Sequence, residues 1–340
     1  MATRVRVAVL GVGSLGRQHA RIYGEMHRQG AVELVGVYDT DDALAKAIAA
    51  KHGTVALDSV EDAAGAADAL SIVTPTVTHY TLAKPLLEQG KHLLVEKPMT
   101  DNTDRAAELV RLAKRHDCVL QVGHIERFNP VFQYLREAAC EPRFIESHRL
   151  SPFPARSMDI GVVLDLMIHD LDIVLAFVRS PVEQVDAAGV RVLSDSEDIA
   201  NARLRFANGC VANLTVSRVS PESLRKIRVF SGGDVPSYVS LDYREQKGYH
   251  YRLARDDEAE SSLLRKLVAG RDSAIVSQFG GRRVVREPVP IQRDEPLKVE
   301  LESFVRCVAE KQEPLVSGES ARQAIELALE ITSQIQPQND

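Results

Sequence analysis

The chain has 340 residues, 44% hydrophobic and 26% charged, with a formal net charge of -6. That length suits two ordinary domains, each with its own core, better than one. Interspersed charges give no basic stripe for nucleic-acid phosphates, and no apolar run approaches the roughly 18 to 20 residues that span a bilayer. Met1 to Leu10 lacks a signal-peptide pattern, so a cytoplasmic protein without nucleic-acid or membrane partners is expected.

The first 123 residues alternate short β-branched runs with helical patterns, as stacked βαβ units do. Strands are expected at Val5 to Leu10, Glu33 to Tyr38, near Thr54, and at Ala69 to Val73, His92 to Glu96 and Val119 to Val122. Helices fall between them at Leu15 to Tyr23, Asp42 to Lys51, His79 to Gln89 and Thr103 to His116, and Gly53 and Gly90 have the character of C-caps. Residues 1–123 therefore read as an α/β domain, a doubly wound parallel sheet of the Rossmann kind.

After Gly123 the pattern changes. A helix at Pro130 to Ala138, a strand at Arg143 to Arg149, a Pro-rich loop and a strongly apolar helix from about Gly161 to Val178 are expected. Ala202 to Phe206 and Val211 to Val219 flank Asn208-Gly209, a hairpin signal, and Lys226 to Phe230 and Tyr238 to Leu241 continue the sheet. Asp256 to Val289 is charged and poorly patterned, an expected excursion, before helices near Leu297 to Glu310 and Glu319 to Ile335. Residues 124–340 thus read as a C-terminal α+β domain with a large open, mostly antiparallel sheet covered on one face by helices.

Gly11-Val12-Gly13-Ser14-Leu15-Gly16 directly follows the first strand and opens the first helix, the context that a dinucleotide fingerprint requires. Backbone N–H groups and the positive end of the helix dipole there suit a pyrophosphate. Asp39 ends the second strand, where a carboxylate accepts from the adenosine ribose and repels a 2′-phosphate; with no arginine close behind it, NAD is expected over NADP. The alternative for Asp39 is a cap on the following helix.

Thr74-Pro75-Thr76 and His79 follow the fourth expected strand, and Glu96-Lys97-Pro98 ends the fifth, all at the sheet edge that would line the cofactor. Lys97 would hydrogen-bond a reacting hydroxyl there, against the alternative of a surface lysine in a turn. Asp165, His169 and Asp172 share one face of an otherwise apolar helix, which suits an acid/base pair or a satisfied polar cluster. One histidine among carboxylates is a poor zinc set, so no metal is expected. Cys118, Cys140, Cys210 and Cys307 are widely spaced and read as free thiols.

With Gly11 to Gly16, Glu96-Lys97-Pro98 and Asp165-x-x-x-His169 in this order, the chain resembles the Gfo/Idh/MocA family of sugar and inositol dehydrogenases over nearly its whole length. The resemblance implies an NAD-dependent dehydrogenase with Lys97, Asp165 and His169 as catalytic residues. His169 would be the acid/base, while Lys97 and Asp165 would polarise and orient the hydroxyl. It also implies a homodimer or homotetramer, with the exposed face of the second sheet as the contact surface. The stretches Gly123 to Pro130 and Ser147 to Phe153 look like the branch that oxidises the 3-hydroxyl of UDP-N-acetylglucosamine or its uronate, in lipid A or surface-glycan biosynthesis. In that reading His124, Arg127, His148 and Arg149 give a cationic lining for the diphosphate of a UDP-sugar. A dehydrogenase of a free polyol or monosaccharide, and a non-catalytic NAD-binding regulatory or scaffold protein, are the alternatives.

Overall fold

Strand β1 (Val5–Leu10) is buried from Val7 onward, as befits a strand covered on both faces by helices. The computed structural model describes residues 4–138, 141–153, 160–233, 236–254, 274–279 and 282–335. From β1 the chain runs through α1 (Gly16–Arg28), β2 (Val32–Tyr38), α2 (Asp42–His52), α3 (Val60–Ala66), β3 (Ala69–Ile72), α4 (Thr76–Glu88), β4 (His92–Glu96), α5 (Thr103–Arg115) and β5 (Leu120–Gly123). The five strands are all parallel, in the order β2-β1-β3-β4-β5. The strand expected near Thr54 is only an isolated bridge between Val37 and Ala56. Helix α3, not expected from the sequence, is held by the Ser59 hydroxyl accepting the Asp62 N–H.

The chain divides into one unit of Met1–Phe128 with Glu295–Glu326 and another of Asn129–Asp294 with Leu327–Asp340. The sequence expects a single boundary at Gly123, near the Phe128 end of that first segment. Helix α8 (Pro296–Glu310) buries Leu297, Leu301, Phe304, Val305 and Val308 in the same core as Val7, Val9, Ile22 and Tyr23. The Gln121 amide donates to the Glu300 carbonyl at 3.2 Å, and the Val122 N–H to the Val316 carbonyl at 3.1 Å.

The second unit contains α6 (Pro130–Ala138), β6 (Pro142–Leu150), a π-helical turn at Val163–Met167 continuing into α7 (Ile168–Val178), β7 (Val182–Val190), β8 (Ile199–Phe206) and β9 (Val211–Ser217). Strands β10 (Leu224–Ser231), β11 (Ser237–Asp242), β12 (Lys247–Leu253), β13 (Ala274–Phe279) and β14 (Arg282–Pro288) follow. They form one nine-stranded sheet, β13-β14-β12-β11-β10-β6-β9-β8-β7, antiparallel except where β6 meets β9. The Asn208-Gly209 turn joins β8 to β9 as expected. Part of the stretch expected to be an excursion is instead β13 and β14 at the sheet's edge; residues 255–273 lie outside the described residues.

One sheet face, with Ile145, Leu204, Leu214, Ile227, Val229 and Val239, packs on Phe132, Leu171 and Val174 and on Leu327 and Ile331 from the end of α9 (Gly318–Ile335). On the other face the rings of Phe144, Phe230, Tyr238 and Tyr251 meet in sequence across β6, β10, β11 and β12. Among the described residues no helix is long and apolar enough to cross a membrane.

Candidate active site

In the first unit, the glycine loop is shaped by what its backbone must avoid. Gly11 has φ +85°, and a Cβ there would stand 2.5 Å from the Val73 carbonyl oxygen; one at Gly16 would stand 1.9 Å from that of Gly11. At Gly13 a Cβ would meet nothing within 4 Å among the described residues, so the backbone is open at that point. Ser14 and Leu15 are exposed, and α1 starts with neither a side-chain cap nor an acidic residue in its first turn. That is the electrostatic setting for a pyrophosphate, so the residues present fit a dinucleotide.

Asp39 faces this loop. Its Oδ2 accepts the Val12 N–H at 2.7 Å and its Oδ1 the Asp41 N–H at 3.0 Å. The cap of α2 is Asp41, which accepts the Leu44 N–H, so the capping alternative for Asp39 falls away. Each Asp39 oxygen retains a lone pair for ribose hydroxyls.

Two residues expected beside the cofactor are buried and bonded to protein groups. His79 is fully buried, with Nδ1 2.9 Å from the Pro98 carbonyl oxygen and Nε2 2.9 Å from that of Thr74. It ties the turn after β3, where Thr74, Pro75 and Thr76 are at least partly exposed, to the turn after β4. Burial pushes its pKa below the ordinary histidine value, against the pull of those carbonyls. Glu96 is also buried, its Oε1 3.2 Å from His19 Nε2 and its Oε2 accepting the Lys97 N–H at 3.2 Å. A Cβ at Gly123 would stand 2.7 Å from the Glu96 carboxyl group, so that glycine makes room for the carboxylate. His19, one turn into α1, carries no local signal of this role, because its partner lies 77 residues further along the chain. Lys97 remains partly exposed beyond this support, joined to Pro98 by a cis peptide bond.

The residues expected to form a cationic lining lie two in each unit. His124 and Arg127 are buried at 1% and 8% exposure, and Arg127 Nη2 donates to the Leu315 carbonyl at 3.1 Å. In the second unit, adjacent residues of β6 point to opposite faces. His148 lies with Glu146, Asn201 and Thr215 along a 390 Å³ depression on the open side of the sheet. Arg149 faces the helices, and its Nε donates to Asp170 Oδ2 at 2.8 Å, with both side chains 4% exposed. Ser147 Oγ donates to the same carboxylate at 2.9 Å.

Asp165 lies in the π-helical turn, whose mark is the Ile168 N–H bonded to the Val163 carbonyl five residues back. Asp165 and His169 are partly exposed, whereas Asp172 of the same expected stripe is 2% exposed. Among the described residues no three His, Cys, Asp or Glu side chains form a metal set. Cys118, Cys210 and Cys307 are free; Cys140 lies outside the described residues.

Residues 5–124 match the model of the oxidoreductase family with an NAD-binding Rossmann fold, and residues 136–231 that of the GFO/IDH/MocA C-terminal domain. The chain is 35% identical over 328 residues, 96% of each protein, to UDP-N-acetylglucosamine 3-dehydrogenase of Acidithiobacillus ferrooxidans. A solved structure of that enzyme superposes with TM-score 0.84, covering 98% of both chains at 34% identity. An inositol 2-dehydrogenase of Rhizobium meliloti is 29% identical over 231 residues, 63% of this chain and 69% of that one.

Proposed function

Because the chain belongs to the Gfo/Idh/MocA family of NAD-binding oxidoreductases, we propose that it oxidises the 3-hydroxyl of UDP-N-acetylglucosamine, or of its uronate, to the 3-keto sugar. The observation that carries this reading is the end-to-end likeness to the Acidithiobacillus enzyme, which spans both units, whereas the inositol 2-dehydrogenase matches under two thirds of the chain.

Bound NAD supplies the hydride acceptor. Gly11, Gly13, Ser14, Leu15 and Gly16 would hold its pyrophosphate, Asp39 its adenosine ribose, and the turn at Thr74 to Thr76 would line it. Lys97 donates a hydrogen bond to the reacting oxygen, Asp165 orients that oxygen, and His169 takes its proton, while the cofactor would accept the C3 hydrogen as hydride. The carbonyl product, the reduced cofactor and one proton on His169 balance the step. Arg127 gives a guanidinium N–H to the Leu315 carbonyl and Arg149 one to the Asp170 carboxylate.

The same reading places the protein in the cytoplasm, with NAD and nucleotide sugars, as a homodimer or homotetramer. The aromatic row on the open sheet face supports the assembly. NADH absorbance on mixing protein and NAD with UDP-N-acetylglucosamine, its uronate, myo-inositol or glucose tests the substrate. Turnover confined to a nucleotide sugar is expected; turnover with a free polyol alone would overturn it.

A further inference from the structure

Glu197 and Asp198, consecutive acidic residues just before β8, are 8% and 0% exposed, and the chemistry above uses neither. Asp198 Oδ2 accepts the N–H groups of Val192, Leu193 and Ser194 at 2.8, 2.6 and 3.0 Å. Its Oδ1 accepts the Ser194 hydroxyl at 2.7 Å and Arg218 Nε at 2.8 Å. Burial opposes the Asp198 charge, but the Leu193 N–H, the Ser194 hydroxyl and the Arg218 guanidinium outweigh it and hold the carboxyl far below its ordinary range.

Fully buried Arg218 also donates from Nη1 to the Ile160 carbonyl at 2.8 Å, and from Nη2 to the Ser194 and Ser196 hydroxyl oxygens at 2.7 and 2.8 Å. Glu197 takes the next residues. Its carbonyl accepts the Val162 N–H at 3.0 Å and its Oε1 the Val163 N–H at 3.2 Å, meeting donors that a helix start leaves without intrahelical partners. Gly161 admits the carboxylate, since a Cβ there would stand 1.9 Å from Oε1. The backbone is thus gripped from Ile160 to Val163, where the π turn carrying Asp165 begins, and the Asp165 N–H bonds back to the Gly161 carbonyl at 3.1 Å.

We propose that Glu197 and Arg218 are positioning residues for Asp165, fixing the start of the π turn so that Asp165 and His169 address one hydroxyl. The inference rests on the roles given to Asp165 and His169 above. A π turn is a minor variant of the helix, and a fixed start keeps these five residues from rewinding into the regular form. A network whose charged members, here Glu197, Asp198 and Arg218, are buried and bonded specifies one geometry more sharply than apolar packing does. A displacement of about 1 Å at a reacting group costs on the order of a hundredfold in rate.

The test compares Glu197→Ala with Glu197→Gln, whose amide oxygen still accepts the Val163 N–H, and with Gly161→Ala, which displaces only the end of the Glu197 side chain. Glu197→Ala and Gly161→Ala are expected to lower kcat by roughly ten- to a hundredfold with the KM for NAD unchanged. Both are also expected to speed amide hydrogen exchange across 163–167, and Glu197→Gln to recover most of both losses. Wild-type kcat in both, a Gln variant no better than Ala, or unaltered exchange would overturn the proposal. His169→Ala measured alongside separates the two levels. If it keeps turnover, the roles of Asp165 and His169 fail; if it is inactive while Glu197→Ala and Gly161→Ala are not, this inference fails.

Discussion

Asp39, at the start of the second β-α connection, reaches back to the first and holds the Val12 N–H at 2.7 Å, so one carboxylate fixes the glycine loop and faces the expected ribose position. Asp39→Ala removes both roles. NAD affinity is expected to fall by roughly ten- to a hundredfold, about 1.4 to 2.8 kcal/mol, in a titration followed by NADH fluorescence. Unchanged affinity would detach Asp39 from cofactor binding.

Lys97 and His169 are expected to matter for turnover and not for cofactor affinity. Replacing either with alanine should lower kcat by about a hundredfold or more, the usual contribution of a positioned proton donor or acceptor. NAD should still bind as in the wild type. A variant that retains kcat would lose its catalytic assignment.

The Arg149–Asp170 pair should behave as a buried ion pair. Arg149→Ala leaves the Asp170 carboxylate without its main charge partner at 4% exposure and is expected to cost about 3–5 kcal/mol in urea denaturation. Replacing both residues with apolar ones of similar size, Arg149→Met with Asp170→Leu, should recover most of that loss. A mild single variant would mean that the arginine is held for another purpose.

Acid should weaken the fold through its histidines. Burial depresses the pKa values of His79, His92, His250 and His52, so the folded state resists protons that the unfolded chain accepts. Their contribution is neutral above the ordinary histidine pKa of about 6.5 and becomes destabilising as pH falls below it, levelling off below the folded-state values. The melting midpoint is therefore expected to drop from about pH 7 to pH 5. The drop should be smaller in His79→Gln, and an identical slope would show that His79 has no share in it.

The parts legible in the sequence are those written locally. Wholly buried parallel strands leave continuous apolar runs such as Val7 to Leu10, and the glycine loop follows one of them directly. Helix α8 shows its amphipathic face in the sequence but not which core that face covers, and Leu301 and Phe304 return to the core of β1 across almost the entire chain. Strand β14 was hidden because Val285 is its only buried residue, too few for an alternating pattern to register. Within the expected cationic lining, His148 and Arg149 are neighbours in a strand and so face apart, a separation the sequence does contain. The sequence places His79 and Glu96 at the edge of the sheet, but burial and backbone partners decide whether a polar group there meets a ligand or the protein.

The π turn at Val163–Met167 makes residue number itself a variable in this helix. Removing a single residue from those five would allow an ordinary α-helix to run from Val162 to Val178. A π turn takes up one extra residue over about the same rotation, so the helix on either side would keep its facing and only the side chains within the turn would shift. Excision of Leu166 would keep both Asp165 and His169 but change their spacing, and with it the direction in which one faces relative to the other. Chain length, more than side-chain identity, is the most fragile coordinate at this point of the protein.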